Sequence, residues 1–272
     1  MNGETGLMDS IRAVLKAYFT SELVRSSGFI YGMLSMSLWI VLFVAPIELF
    51  ASPGVDRSVI AGYMFTAVLV FSSYSTATWD LAWEIRWSMR SGVLEYYIVS
   101  GRSPLILIAG VAPVSLIWLA ASLTLVYSVF TLLLAPPAFI VENPLLLLYS
   151  FILLGVVLLA HTLVLAGSTL STGTSGPVME LISWILPIAT GGLTPLSNLP
   201  EQVAVVALLT PYAYPAELVR RSLLNAPLKL PLNETLMYGT VYSLLYLAAA
   251  YWFFMREYRR ILREGVKTIG MY

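Results

Sequence analysis

Cysteine is absent from this chain of 272 residues, and histidine occurs only once, as His161. The absence of cysteine excludes disulfide frameworks, thiolate metal sites, iron–sulfur clusters and cysteine nucleophiles. One histidine leaves too few ligands for a zinc or haem site. We therefore expect this chain to bind no metal and no cofactor of its own.

Charged residues are also scarce, at 11% of the chain against 58% hydrophobic residues. A soluble globular domain typically carries about 25% charged residues. The 15 basic and 15 acidic residues balance, so the chain has neither the basic excess that binds nucleic acid nor an acidic tail. The composition indicates an integral membrane protein in contact with a lipid bilayer and no nucleic acid.

The charges cluster, and the uncharged runs between clusters are long enough to cross a bilayer. A spanning helix needs about 20 apolar residues, because a rise of 1.5 Å per residue must cover roughly 30 Å of hydrocarbon. Pro136-Pro137 ends the third run, and the Ser, Thr and Gly residues before Pro177 divide the fourth. We predict one all-α transmembrane domain over residues 1–272, with six spans at about 28–47, 58–79, 105–134, 144–167, 178–196 and 235–255.

Residues 9–25 predict an amphipathic helix, since Ile11 and Val14 share a face opposite Arg12 and Lys16. We expect this helix to lie in the membrane interface. The apolar run that follows is long and comes after acidic residues, so we interpret it as a retained first span and not as a cleaved signal peptide.

The segment 199–234 predicts an outer re-entrant hairpin between spans five and six. Residues 202–216 are uncharged, but the run is short and Pro211 and Pro215 interrupt it. With six spans and both termini cytoplasmic, the 15 Lys and Arg residues divide with 11 inside and 4 outside. A crossing by 202–216 would weaken that bias to 9 against 6, out of the same 15. The bias favours re-entry and leaves a crossing open.

Two stretches carry motifs beyond hydropathy. The first contains Glu84-Ile85-Arg86 and Arg90, then Gly92-Val93-Leu94-Glu95 and Pro104. The second contains Gly191-Gly192, then Pro195 with Leu199-Pro200, Pro211-Tyr212, and Glu217 followed three residues later by Arg220. In this order, and together with the helix at 9–25 and the basic tail, the stretches resemble the inner loop and outer hairpin of type-2 ATP-binding-cassette (ABC) exporter permeases.

The resemblance implies a permease subunit of the plasma membrane that exports a substrate. It implies a dimer, with a second copy or a sister permease, bound to two ABC ATPase subunits that carry ATP and Mg. The inner loop 80–102 would be the coupling loop that contacts the ATPase, through Glu84, Arg86, Arg90, Gly92, Leu94 and Glu95. The hairpin would form the outer gate, with Gly191, Gly192, Pro195, Leu199, Pro200, Pro211, Tyr212 and Arg220.

The chain has no ATPase motif of its own. A nucleotide-binding loop requires G-x-x-x-x-G-K-[ST], and no Gly-Lys dipeptide occurs in the sequence. We therefore expect no enzymatic activity in this chain and ATP hydrolysis in a partner subunit.

The sequence leaves several alternatives open. An ATP-independent secondary carrier or a structural membrane subunit is one, and a polytopic membrane enzyme is another, although no catalytic constellation is visible.

Glu48 and Glu180 lie at predicted span ends and can reach the interface. We interpret His161 as a hydrogen-bonded packing residue and not as a proton relay. So few intramembrane charges favour a bulky or lipid-like cargo, but neither the substrate nor the choice between homodimer and heterodimer is encoded.

Overall fold

The computed structural model describes residues 3–28, 30–35, 38, 54, 56–173, 176–192 and 194–265. These residues form helices and turns, with no strand among them, which confirms the predicted all-α class. The helices are α1 (Gly3–Tyr18), α2 (Arg57–Thr76), α3 (Trp83–Arg90), α4 (Val93–Val99), α5 (Leu105–Leu133), α6 (Pro144–Thr172), α7 (Gly176–Ala189), α8 (Glu201–Leu208), α9 (Ala213–Leu224) and α10 (Leu232–Glu264).

Among the described residues, three helices are long and apolar enough to cross a membrane. The first is a continuous helix of 34 residues, Arg57–Arg90, in which a π-helical segment, Ala77–Ala82, joins α2 to α3. The others are α5 and α6, of 29 residues each. They overlap the predicted second, third and fourth spans, and the first helix continues beyond the predicted end at 79. A fourth candidate is the pair α8 and α9, which is bent by 103°.

The remaining predicted spans correspond less directly to single helices. The first, about 28–47, lies mostly outside the described residues, although residues 30–35 are helical. The fifth corresponds to α7, which has only 14 residues and so covers about 21 Å. The sixth lies within α10, whose 33 residues are long enough to cross but include several tyrosines that lower its apolarity.

The helix ends follow from local chemistry. The Asn143 side chain accepts hydrogen bonds from the backbone N–H groups of Leu145 and Leu146 at 3.0 and 3.1 Å, and Pro144 opens the helix. Asp56 caps α2 in the same way, through the N–H of Ser58 at 2.9 Å. Hydrogen bonds from Ser58 lower the pKa of the Asp56 carboxyl. The capped helices therefore begin where uncharged runs begin in the sequence.

Helix α6 lies at the centre of the structure, with α10 along one side and α9 along another. One cluster of buried apolar residues joins α6 to α1, α3, α5 and α10, and a second joins it to α2 and α9. Val14 on α1 packs so closely on Gly110 of α5 that a Cβ at Gly110 would lie 2.5 Å from Val14 Cγ1. The part of the predicted helix at 9–25 that belongs to α1 therefore packs on the bundle, through Ile11, Val14 and Tyr18. Residues Phe19–Arg25 form a π-helical segment in which no residue is buried.

The outer surface of the long helices is apolar. Leu132 on α5 and Leu145 on α6 are 82% and 76% exposed, and further leucines and isoleucines of α5, α6 and α10 are also exposed. Soluble monomers rarely expose apolar patches larger than a few hundred Å². In lipid, by contrast, such a surface is favourable, and helices satisfy their own backbone hydrogen bonds. The surface is therefore compatible with a membrane protein.

Candidate functional site

The segment that carries the first motif folds as two short helices joined by a turn. Helix α3 ends at Arg90, the chain turns at Ser91-Gly92, and α4 begins at Val93. Gly92 has a φ of +72°, in the left-handed region that glycine adopts without steric cost. Leu94 is fully buried in the same cluster as Ile85 and Met89. Of the residues predicted here, Gly92 therefore forms the turn and Leu94 fixes α4 against the bundle.

Two of the predicted coupling residues face inward. The Glu84 carboxylate accepts a hydrogen bond from the Tyr18 hydroxyl, which links α3 to α1. Burial, and then this contact with Glu84, raise the pKa of Tyr18. The Arg86 guanidinium lies 4.6 Å from the centre of the Trp83 ring and beside the start of α7, where a Cβ on Gly176 would meet Arg86 Nη1. Glu84 and Arg86 therefore connect α3 to neighbouring helices.

The other two charged residues, Arg90 and Glu95, face outward. Around them lie large exposed side chains, with Tyr96 at 79% and Val99 at 87% exposure. We call this surface the α3–α4 face; it consists of Trp87, Arg90, Val93, Glu95, Tyr96 and Val99. Exposed aromatic and aliphatic groups with a few charges are typical of the core and rim of a protein interface.

The segment of the second motif is organised by a buried ion pair. Arg220 is 1% exposed and Glu217 is 4% exposed, and their Nη1 and Oε1 atoms are 3.0 Å apart. Arg220 Nη2 also donates to the carbonyl oxygens of Gly191 and Gly192. The Glu217 carboxylate accepts from the backbone N–H of Leu196 at 3.1 Å. A buried pair needs such additional partners, because burial removes both ions from water.

The two glycines make these contacts sterically possible. Gly191 has a φ of +75°, and a Cβ there would lie 2.6 Å from Leu196 Cδ2. A Cβ on Gly192 would lie 2.9 Å from the carbonyl oxygen of Pro187, one turn back in α7. The chain therefore leaves α7 in a turn whose carbonyls point at Arg220.

The prolines and Leu199 define the path of the chain between α7 and α9. Pro195 precedes a 3-10 turn, Leu196–Asn198, and Pro200 precedes α8. Leu199 packs on the small apolar cluster of Leu196, Ala207 and Ala213. Pro211 lies between α8 and α9, at the 103° bend. These predicted residues therefore shape the backbone and do not converge on one point.

Tyr212 belongs to a chain of polar side chains inside the bundle. Its hydroxyl is 3.0 Å from Nδ1 of His161 on α6 and also contacts the Tyr246 hydroxyl on α10. His161 Nε2 lies 3.0 Å from Oγ1 of Thr78, and the Tyr74 hydroxyl donates to the Tyr212 carbonyl oxygen at 3.1 Å. His161 is 2% exposed, so both ring nitrogens have partners within the bundle.

Helix α9 runs along α6 over several turns. The hydroxyl oxygens of Ser222 and Ser150 are 3.1 Å apart near one end. At the other end, Tyr212 contacts His161, which is 11 residues further along α6 than Ser150 and so about 16 Å away. The second half of the hairpin segment is therefore buried beside a candidate span.

Sequence reasoning did not single out several residues of these clusters as site residues. Glu217 is the partner of Arg220, and Tyr74, Thr78 and Tyr246 complete the chain through His161. The signal for Glu217 was available, since an acid and a base three residues apart share a helix face. The tyrosines carried no such signal, because a tyrosine in an apolar run fits a packing role equally well.

Of the two acids whose role the sequence left open, Glu180 is exposed and Glu48 lies outside the described residues.

The polar clusters described above hold no metal-binding set. Within the described ranges, no group of three or more His, Asp and Glu side chains comes together.

The sequence matches no model of a known protein family, and no curated protein matches it. The functional assignment therefore depends on the residues and geometry of this chain alone.

Proposed function

We propose that this chain is the permease subunit of an ATP-driven exporter of the type-2 ABC class. Two permeases, either two copies of this chain or this chain and a sister, would form the pathway across the plasma membrane. Two separate ATPase subunits would bind ATP and Mg and drive transport. The proposal starts from the order of the two motif-bearing segments in the sequence.

The observation that carries the proposal is the α3–α4 face. It exposes Trp87, Tyr96 and Val99 together with one base and one acid, a composition suited to a protein partner. The face is also continuous with a candidate span, since α3 continues α2 in one helix of 34 residues. A push on the face would therefore act directly on a candidate span.

Contacts of the inward residues suggest how the push would reach the rest of the bundle. Glu84 is bonded to Tyr18 of α1, and Arg86 lies against Gly176 at the start of α7. Helix α7 ends in the turn whose Gly191 and Gly192 carbonyls bind Arg220. In this proposal Glu84 and Arg86 are positioning residues that pass the motion on, while Arg90 and Glu95 contact the ATPase.

The proposal includes six crossings, cytoplasmic termini and an outer re-entrant hairpin. A bend of 103° between α8 and α9 fits either a broken span or a re-entrant pair, and the proposal takes re-entry because it leaves 11 of the 15 Lys and Arg residues inside. The Glu217–Arg220 pair would keep the hairpin closed against the end of α7. Opening the outer gate would then require a rearrangement around this pair.

The test is purification of the tagged chain in mild detergent, with quantitative identification of bound subunits. We expect a P-loop ATPase in equal amount with the chain. Reversing one charge of the face, by Arg90→Glu or Glu95→Arg, is expected to release the ATPase while the permease dimer persists. Because both side chains are exposed, neither change should disturb the fold.

The matched control is Glu234→Arg, a reversal at an exposed acid in the first turn of α10. This variant is expected to keep the ATPase. An intact permease oligomer without any ATPase would contradict the proposal. So would reconstituted transport that runs on an ion gradient with no ATPase present, which is the behaviour of a secondary carrier.

A further inference from the structure

A groove that shares only Asp80 with the predicted coupling loop 80–102 lies between α2 and α5. It has a volume of about 420 Å³ and is partly open to the surroundings. Pockets for small organic molecules typically measure about 300–1,000 Å³. Glu22, in the π-helical segment Phe19–Arg25 after α1, lines one part of the groove. The groove is therefore large enough for a ligand, and its walls come from three separate parts of the chain.

One end of the groove is acidic. Asp80 and Glu22 both line it. Among the described residues neither carboxylate has a hydrogen bond or an ion pair, and no Lys or Arg lines the groove. Partly buried acidic groups are costly unless hydrogen bonds or positive charges compensate them. A positive charge on a bound ligand would compensate the two carboxylates at this end of the groove.

Hydroxyl groups continue the polar lining along one side of α2. Ser72, Ser75 and Thr76 recur at the spacing that places side chains on one helix face, which also carries Asp80. Ser122 adds a hydroxyl to the lining from α5. Hydroxyl oxygens accept hydrogen bonds from an ammonium group or from its water molecules, so this lining suits an organic cation.

The end of the groove away from Asp80 carries Phe71, which lies nine residues before Asp80 and about 13 Å from it along the helix. Trp118 and Leu119 line the groove from α5. A Cβ on Gly32 would lie 3.1 Å from the Trp118 ring, so the helical residues 30–35 flank this end. Aromatic faces attract organic cations and also bury apolar groups.

We propose that this groove binds amphipathic organic cations, with the positive group near Asp80 and Glu22 and the apolar groups against Phe71, Trp118 and Leu119. Two carboxylates alone are too few for a dedicated metal-ion site, which usually takes three or more protein ligands. An amphipathic anion would meet the same apolar end but would be repelled by the acids. The groove therefore discriminates by the sign of charge.

The test uses two ions of nearly equal size and shape and opposite charge, tetraphenylphosphonium and tetraphenylborate. Equilibrium binding is measured to the full chain in nanodiscs of phosphatidylcholine, with empty nanodiscs subtracted. We expect saturable binding of one tetraphenylphosphonium per chain and no saturable binding of tetraphenylborate. Asp80→Asn should weaken cation binding at least about tenfold, and Glu22→Gln should weaken it by a smaller factor.

The control variant is Asp9→Asn, which removes an exposed carboxylate on α1 outside the groove and should leave the affinity unchanged. Ser122→Trp fills the groove without altering its charge and should abolish binding, so the proposal stays testable if Asp80→Asn fails to fold. Equal binding of both ions, no saturable cation binding, or an unchanged affinity in Asp80→Asn would each overturn it. Binding needs no ATPase, so this result is independent of the proposed export function.

Discussion

Arg220 and Gly192 lie 28 residues apart in the sequence, yet Nη2 of Arg220 donates a hydrogen bond of 2.8 Å to the Gly192 carbonyl oxygen. This bond joins the end of α7 to the middle of α9. Arg220 is balanced by Glu217 at 3.0 Å, so the link also brings a charged pair into the interior. The conformation of the segment between α7 and α10 therefore depends on keeping that pair complete.

We expect Arg220→Met to destabilise the protein by about 3–5 kcal/mol, because it leaves the Glu217 carboxylate buried without its counter-charge. The double variant Glu217→Gln with Arg220→Met should lose less than the sum of the two single changes. The measurement is the free energy of unfolding in mixed detergent micelles. Arg259→Met, at an exposed arginine of α10, is the control, and equal losses in both arginine variants would contradict the prediction.

We expect Gly192→Ala to cost about 1–3 kcal/mol, because its Cβ would lie 2.9 Å from the Pro187 carbonyl oxygen. Gly155 in α6 is a matched glycine with open space around its Cβ position. Gly155→Ala should be neutral or stabilising by up to about 1 kcal/mol, since alanine favours a helix. Thermal unfolding of both variants in detergent measures the difference, and an equal response of the two would refute the steric argument.

We expect Tyr212→Phe to destabilise the bundle by about 1–3 kcal/mol, because it removes the partner of His161 Nδ1 and of the Tyr246 hydroxyl. The effect should appear as faster hydrogen exchange at the start of α9 and in the middle of α6. Tyr251→Phe is the control, because Tyr251 is half exposed on α10. Unchanged exchange in Tyr212→Phe would show that the polar chain adds no stability.

We expect Tyr18→Phe to loosen α1, because the Tyr18 hydroxyl donates to Glu84 of α3. Loss of one hydrogen bond to a charged group costs about 1.5–3 kcal/mol, so amides of α1 should exchange at least about tenfold faster. Hydrogen exchange with mass spectrometry at neutral pH measures this. The exposed Tyr31 provides the control, and the prediction fails if Tyr18→Phe and Tyr31→Phe leave α1 equally protected.

The uncharged runs allowed the central helices to be predicted closely. The helices α5 and α6 begin within a residue of the predicted spans at 105–134 and 144–167, and α2 begins one residue before the predicted 58–79. Their ends are marked by local signals such as Asn143-Pro144. The helix that contains α2 nevertheless continues to Arg90, beyond the predicted span end at 79. Charge ends a membrane span but does not end a helix, whose hydrogen bonds are local.

The sequence by itself determined that the chain is all-α and apolar, which segments carry motifs, and that no nucleotide-binding loop is present. Only the tertiary structure decided which motif residues meet. In the structure Glu84 and Arg86 face inward, whereas Arg90 and Glu95 face outward. Arg220 contacts Gly192, and Tyr212 contacts His161. The physical reason is the distance along the chain over which each kind of interaction acts. Hydropathy and helix signals act within a few turns, whereas these contacts depend on how separate helices pack, which no local pattern specifies.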